Sequence, residues 1–324
     1  MEKYFFILVL LAVISFLYLK LAVKFKIIDK PNQRSSHTKI TVRGGGIIFP
    51  ISILLFFFLN DYQYPYFLLG VFLISVVSFL DDIYTLSSKI RFPFQFLAVF
   101  LILYQVSFPF APIYLFAFYL IMGIGVVNMF NFMDGINGIT GIYSICVLLG
   151  LFVINRSEHL VDDNLIIYPL LSLIVFGFYN FRRKALFFAG DIGSIAIGML
   201  VFFLGFLFAV RLSSPLIILL VIVYGADAGN TILYRKLFTK ESIFEAHRHH
   251  IYQKLVDVYK MSHLKVAGIY GILQIIINLV IYKTYTLDVS SQFLIFFGLI
   301  VGFIIAYVLL FKTIQKKVAL NNES

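Results

Sequence analysis

The chain has 324 residues, of which 61% are hydrophobic and 13% charged, and its mean hydropathy is +0.97. This composition lies far outside the range of soluble globular domains and excludes a water-soluble enzyme or binding module. The net charge of +10 does not predict a nucleic-acid partner, because the basic residues follow the pattern expected for a membrane protein.

Apolar segments of roughly 15 to 20 residues recur along the whole chain, as transmembrane helices require. The longest connection runs from about 234 to 264, so residues 1–324 are predicted to form a single membrane-embedded domain. The predicted fold class is all-α, a polytopic integral membrane protein with about eleven transmembrane helices. These spans lie near 4–23, 45–60, 66–80, 92–107, 112–127, 138–154, 165–180, 193–210, 215–233, 265–282 and 291–311.

The basic residues predict the orientation of these spans. With the N-terminus outside and the C-terminus in the cytoplasm, almost all of the 26 lysines and arginines fall in cytoplasmic loops. This asymmetry obeys the positive-inside rule. The four exceptions are Lys3, Arg156, Arg211 and Lys283.

Acidic residues collect at the predicted cytoplasmic ends of three spans. Asp81 and Asp82 end the third span, and such adjacent carboxylates repel one another unless a cation or a proton relieves them. The alternative is a solvated helix end. Asp191 precedes the eighth span between Gly190 and Gly193, where it could cap the helix or lie beside a bound phosphate.

A ladder of polar residues ends the fifth span. Asn128, Asn131 and Asp134 recur at every third position, so on a helix they lie along one side. Together with Asn137 they place a carboxylate and three amides beside apolar segments, where desolvation is costly. This placement predicts that the ladder holds a ligand.

The loop after the ninth span carries the sequence His247-Arg248-His249-His250. It could be a metal site, a basic loop attracted to anionic lipid, or a clamp in which Arg248 donates two hydrogen bonds to a diphosphate. We favour the clamp, because no zinc-like spacing is present. Lys39 and Arg43, just before the run Gly44-Gly45-Gly46, form a second candidate anion-binding loop.

Because the acidic sites share one membrane face, the sequence favours a metal-dependent enzyme acting at the bilayer surface. A transporter would be expected to place its ionisable groups near the middle of the membrane. A transporter or flippase for a charged lipid or a nucleotide sugar stays the alternative from another functional class.

Five segments, in order along almost the whole chain, resemble motifs of the polyprenyl-phosphate N-acetylhexosamine-1-phosphate transferase family. They are Asp29-Lys-Pro31-Asn-Gln-Arg34 with His37 and Gly44-Gly45, Asp81-Asp82, Asn128-x-x-Asn131-x-x-Asp134-Gly, Phe188-x-Gly190-Asp191-x-Gly193-Ser194-x-x-x-Gly198, and Ala246-His247-Arg248-His249-His250-x-Tyr252-Gln253. The last loop is similar to the sugar-priming branch rather than to the phospho-N-acetylmuramoyl-pentapeptide transferases, which stay the alternative within the family. Asn137 departs from the second aspartate that most bacterial members carry.

The resemblance implies transfer of an N-acetylhexosamine-1-phosphate from a UDP-sugar to undecaprenyl phosphate, with release of UMP, as the first membrane step of a cell-surface polysaccharide. It implies a bacterial inner membrane location with the site on the cytoplasmic face, and it leaves a homodimer open. The implied cofactor is Mg²⁺, with Mn²⁺ as a substitute, held by Asn131 and Asp191. The implied catalytic residues are Asp81, Asp82 and Asp191. The residues implied to bind the nucleotide sugar are Asn128, Asp134, Asn137, His247, Arg248 and His249. The candidate contacts for the lipid phosphate are Lys39 and Arg43.

Overall fold

The computed structural model describes residues 2–29, 40–239 and 248–323, and in these ranges every predicted span is helical. A short antiparallel pair of strands, β1 (Ile28–Asp29) and β2 (Thr41–Val42), flanks the first loop. One 3-10 turn (Gly45–Ile47) leads into α2 and another (Pro215–Val221) leads into α9. The helices are α1 (Glu2–Lys24), α2 (Ile48–Leu59), α3 (Pro65–Tyr84), α4 (Ser88–Gln105), α5 (Ile113–Met133), α6 (Ile139–Glu158), α7 (Asn164–Asn180), α8 (Gly190–Arg211), α9 (Ile222–Phe238), α10 (Ile251–Asp257), α11 (His263–Thr284) and α12 (Val289–Glu323).

The prediction of an all-α polytopic membrane protein is confirmed. Within the described ranges, eight helical segments are long and apolar enough to cross a membrane, and the apolar segments Gly45–Leu59 and Asn164–Asn180 are shorter. The remaining predicted span lies on α4. The count of eleven crossings and their orientation stay predictions.

Helix α8 lies at the centre of the bundle. It is apolar on all sides, and 89% of its membrane-length window is buried, against 6% for α12. A helix without a polar face can be buried on every side, as α8 is, whereas the equally apolar α12 faces outward, where lipid can cover an apolar surface. Small residues allow the close contacts: Gly198 lies against Phe130 of α5, and a Cβ there would approach the Phe130 side chain to 3.1 Å.

The chain after β2 lies directly on the N-terminal end of α8. Gly45 N donates a hydrogen bond to Phe188 O at 2.8 Å, and Gly46 N donates one to Ala189 O at 2.9 Å. A Cβ on Gly46 would lie 2.4 Å from the Cα of Gly193, so this approach is possible only between two glycines. These contacts fix the first loop, and with it Arg43, against the start of α8.

Candidate functional site

The C-terminal end of α3 meets the N-terminal end of α8. Asp82 of α3 accepts hydrogen bonds from the backbone N–H groups of Asp191 at 2.9 Å and Ile192 at 3.1 Å. Its carboxylate is completely buried and caps α8 from another helix, which satisfies donors that the helix itself leaves unpaired. Gly190 has a φ of +72°, and a Cβ there would lie 2.5 Å from Asp82 Oδ2. The cap predicted for Asp191 is therefore supplied by Asp82.

Two arginines bridge the three aspartates, and we call these five side chains the acidic cluster. Arg43 pairs with Asp82 at 2.6 Å and with Asp191 at 2.9 Å. Arg91 pairs with Asp81 at 2.7 Å and with Asp191 at 3.0 Å. Asp191 thus lies between both guanidiniums. Burial lowers the pKa of Arg43, but the neighbouring Asp82 and Asp191 carboxylates outweigh burial and the net shift is upward.

Sequence reasoning missed Arg91, which it counted only as a basic loop residue. Arg91 lies in the first turn of α4 and joins the end of α3 to the start of α8 through its two ion pairs. Its Nε atom is buried and has no hydrogen-bond partner among the described residues. Only its position ten residues after Asp81, across a tight turn, could have indicated that it returns to the aspartate pair.

Two members of the polar ladder on α5, Asn128 and Asn131, have different surroundings. Asn128 exchanges two hydrogen bonds of 3.1 Å with Gln95 of α4. One turn further, Asn131 lies beside Asp191, and its Nδ2 atom is buried without a partner among the described residues. Asn131 is therefore the member of the ladder at the acidic cluster, whereas Asn128 joins two helices. The predicted roles of both residues in ligand binding stay predictions.

Asp134 and Asn137 lie in the turn between α5 and α6. Burial raises the pKa of Asp134 to about 6, although a 2.6 Å hydrogen bond from the Thr140 hydroxyl opposes the shift. Asn137 is 4% exposed and donates from Nδ2 to the backbone carbonyl of Arg182 at 2.8 Å. Its backbone N–H donates to Nδ1 of His263. The predicted contact of Asp134 and Asn137 with a nucleotide stays a prediction.

Arg248 forms a two-pronged ion pair within its own segment. Its Nε and Nη2 atoms donate to the two carboxylate oxygens of Asp257 at 3.0 and 2.8 Å. This is the fork geometry predicted for a diphosphate, here engaged with a carboxylate. His249 lies beside Tyr234, with ring centroids 5.9 Å apart. His247 and Lys39 lie outside the described residues.

The last loop is tied to the bundle by Asp227 of α9. The buried Asp227 carboxylate accepts from the backbone N–H of Ile251 at 2.9 Å and from the Tyr270 hydroxyl at 2.6 Å, and it lies 3.3 Å from a ring nitrogen of His250. Tyr252 continues the connection, because its hydroxyl donates to Phe132 O at 3.1 Å. The last loop and the central motif are therefore held at the same end of the bundle as the acidic cluster.

Among the described residues, no three histidine, cysteine or acidic side chains converge as a ready-made metal site. The cluster nevertheless offers hard oxygen donors, and the unpartnered amide of Asn131 beside Asp191 could present its oxygen there after a rotation of the amide. Because Mg²⁺ commonly takes only one or two protein carboxylates and completes its shell with water and phosphate oxygens, the residues present fit that ion.

Fold and site together define a polytopic all-α membrane protein with a charged, arginine-bridged site at one end of its helices. Comparison with known proteins identifies a family that part of the chain resembles. Residues 64–209 match the model of glycosyl transferase family 4. This match covers less than half of the chain, and it agrees with the resemblance found in the sequence motifs.

Two curated relatives match most of the chain, and a third matches under half of it. A probable undecaprenyl-phosphate N-acetylglucosaminyl 1-phosphate transferase of Bacillus subtilis (strain 168) is 28% identical, over 89% of this chain and 86% of its own length. An undecaprenyl-phosphate alpha-N-acetylglucosaminyl 1-phosphate transferase of Thermotoga maritima is 27% identical, over 74% of this chain and 77% of its own. A phospho-N-acetylmuramoyl-pentapeptide-transferase of Chlamydia caviae is 30% identical, over 45% and 44%.

Proposed function

We propose that this protein transfers an N-acetylhexosamine-1-phosphate from a UDP-sugar to undecaprenyl phosphate and releases UMP. The observation that carries the proposal is the acidic cluster, in which two helix ends bring carboxylates and guanidiniums together at one end of a membrane bundle. A reaction between a soluble anion and a lipid phosphate requires such an interfacial site. The long matches to relatives that carry this activity in their names favour it over the pentapeptide transferase, which matches under half of the chain.

The reaction joins two negatively charged substrates, so catalysis depends on charge neutralisation and positioning. An oxygen of the lipid phosphate attacks the phosphorus that carries the sugar, the bond from that phosphorus to the bridging oxygen breaks, and UMP leaves with that oxygen. A phosphate monoester has its second pKa at about 6 and is largely ionised at neutral pH, so a base is not essential to form the nucleophile.

The contacts of the aspartate pair favour positioning roles. Asp82 is engaged by two backbone N–H groups and by Arg43, and this arrangement orders the start of α8. Asp81 holds Arg91 at 2.7 Å. Each arginine would thereby stand ready to turn from a carboxylate to an incoming phosphate, since both anions accept the same fork of N–H donors.

Asp191 and Asn131 would hold a Mg²⁺ ion, with Mn²⁺ as a substitute. When bound, this ion would neutralise charge on the diphosphate of the donor. Asp134, Asn137, Arg248 and the neighbouring histidines would contact the nucleotide sugar. The protein would lie in a bacterial inner membrane with this end of the bundle in the cytoplasm, because nearly all basic loops fall on that side.

Release of UMP tests the proposal directly. The detergent-purified protein should release UMP from one or more members of a UDP-N-acetylhexosamine panel when Mg²⁺ and undecaprenyl phosphate are both present. Without the lipid phosphate there should be no release. UDP-MurNAc-pentapeptide as the only accepted donor would indicate the alternative transferase, and no UMP release from any donor would contradict the proposed reaction.

Asp191→Asn tests the metal assignment. The change keeps the shape of the side chain but removes a negative charge from a site for a hard cation and for two guanidiniums, so turnover should fall by orders of magnitude. Ser194→Ala is the control, because it removes only a hydroxyl that bonds to the carbonyl of Gly190 at the same helix end. Near-normal turnover of Asp191→Asn across a Mg²⁺ titration would contradict the assignment of Asp191 as a metal ligand.

A further inference from the structure

An apolar groove runs along the outside of the bundle between α2 and α3. Its cavity has a volume of about 240 Å³, and apart from Ser75 every side chain that lines it is apolar. Phe72, Val76 and Leu80 form the rim on α3 and are 50%, 45% and 40% exposed, so the groove is open to the surroundings of the bundle. The stretch of α3 from Leu68 to Leu80 that lines it is roughly 18 Å long at 1.5 Å per residue.

One end of the groove lies at the acidic cluster. Two lining residues are chain neighbours of the site: Ile192 follows Asp191, and Ile47 follows the Gly46 that lies on α8. On α3 the lining face of Ser75 and Phe79 continues at helical spacing to Asp82, which pairs with Arg43. The guanidinium side chain of Arg43 is 29% exposed, whereas the Asp82 carboxylate is completely buried. An anion at this end of the groove therefore meets Arg43.

We infer that this groove binds the prenyl chain of the polyprenyl phosphate acceptor, with its phosphate against Arg43. The inference rests on the proposed function and names the surface that receives the lipid substrate. An apolar channel that ends at a partly exposed guanidinium matches a molecule with one long apolar chain and a phosphate at its end. Asp82 keeps its two backbone N–H donors when Arg43 turns to the phosphate, so the exchange leaves no buried carboxylate unpaired.

Filling the groove tests the inference. Val76→Trp places a large ring at the rim, and Ser75→Phe fills the floor without touching the acidic cluster. Both variants should raise the KM for undecaprenyl phosphate by about tenfold or more, which corresponds to a loss of about 1.4 kcal/mol or more of apolar contact, and should leave the KM for the UDP-sugar unchanged. Ile121→Trp on α5 is the control, because Ile121 is 70% exposed and does not line the groove.

A binding measurement separates the acceptor from other occupants. A photoreactive prenyl phosphate should cross-link to the α3 peptide that contains Phe72 and Val76, and unlabelled undecaprenyl phosphate should compete. Undecaprenol, which lacks the phosphate, and phosphatidylglycerol should compete weakly. Equal competition by phosphatidylglycerol would make the groove a site for ordinary membrane lipid. Cross-linking of two protein chains through Val76→Cys would assign it to a dimer interface; either result overturns the inference.

The outcomes distinguish this inference from the proposed function. If the unmodified protein releases UMP but both groove variants retain its KM for the lipid, the reaction stands and the groove assignment fails. If the unmodified protein releases no UMP, the proposed reaction fails, while cross-linking still reports whether a prenyl phosphate binds. An unchanged KM for the UDP-sugar and a single detergent-solubilised species by size-exclusion chromatography show that the variants are folded.

Discussion

At the scale of single residues, the arginines of the site already hold carboxylates. Arg248 donates hydrogen bonds to both carboxylate oxygens of Asp257, and Arg43 forms ion pairs with Asp82 and Asp191. Phosphate oxygens accept from the same donors, so in the proposed reaction a substrate phosphate would compete with the protein's own carboxylates for each guanidinium. Because the neighbouring carboxylates orient these side chains, less conformational entropy would be lost when a phosphate binds.

Arg248→Lys tests whether the fork geometry of Arg248 matters. Lysine keeps the charge but cannot donate two parallel hydrogen bonds, so we expect a loss of roughly 1–3 kcal/mol of transition-state stabilisation, about tenfold to a hundredfold in kcat/KM. Lys254→Ala, in the same segment, should cost much less. Equally small effects at both positions would mean that the segment only contacts the membrane surface, and the assignments of His247 and His249 to the nucleotide sugar would fall with it.

Asp134→Asn tests the raised pKa of Asp134. The pKa of the Asp134 carboxyl is about 6 in the folded protein, whereas its ordinary value is 3.8. Between these pH values the unfolded chain loses the proton first, so the free energy of unfolding falls as the pH rises. Above about pH 6 this loss of stability is constant. The variant removes this cost. Its unfolding temperature should exceed that of the unmodified protein by about 2–5 °C near pH 7.5, and the difference should disappear towards pH 4.

Thr140→Val provides the matched comparison for Asp134→Asn. It removes the hydrogen bond that opposes the upward shift, so the loss of stability with rising pH should become larger. The same difference in unfolding temperature at both pH values for Asp134→Asn would show that the carboxyl group does not titrate in this range.

At the scale of elements, the site depends on short segments packed among long ones. Helix α2 has 12 residues and is roughly 18 Å long, less than the ~30 Å of a bilayer's apolar core. The 3-10 turn before it contacts the first turn of the longer α8. The chain after β2 thereby brings Arg43 to the acidic cluster.

Glycine substitutions test this crossing. Gly46→Ala would place a Cβ 2.4 Å from the Cα of Gly193, and Gly193→Ala would place one 2.7 Å from the Cα of Gly46. Either change should separate the first loop from α8, lower the unfolding temperature and reduce UMP release. Gly205→Ala, also on α8 but with open space around its Cα, should be neutral or slightly stabilising because alanine favours helix. Full stability of Gly46→Ala would contradict the close packing.

At the scale of the whole molecule, orientation in the membrane decides whether the site can meet a soluble nucleotide sugar. We expect a cysteine at position 157 to react with an impermeant maleimide in intact cells and a cysteine at position 184 to react only after the cells are opened. Ser157 and Lys184 are both exposed, and the background is Cys146→Ala. Labelling of Lys184→Cys from outside would overturn the orientation and place the acidic cluster on the outer face.

The sequence alone determined the class of fold and the positions of the helical spans, and it predicted the segments of the candidate site. Hydropathy is a local property, so each apolar run could be recognised without knowledge of its neighbours. The same holds for Asp81, Asp82, Asn131 and Asp191, because a polar group at the end of an apolar helix is visible in the chain itself.

Only the tertiary structure decided how these groups are paired. Asp82 caps α8 although Asp191 lies 109 positions further along the chain, and Arg91 joins two helix ends that the sequence gives no reason to connect. The same is true of Asp227 and the last loop. Which charged side chains form ion pairs depends on which helix ends lie next to each other. The positions of the helix ends depend in turn on how whole helices pack, including contacts as close as that of Gly46 with Gly193. Local sequence patterns do not show contacts between residues that are far apart in the chain, so these ion pairs and hydrogen bonds could be identified only in the tertiary structure.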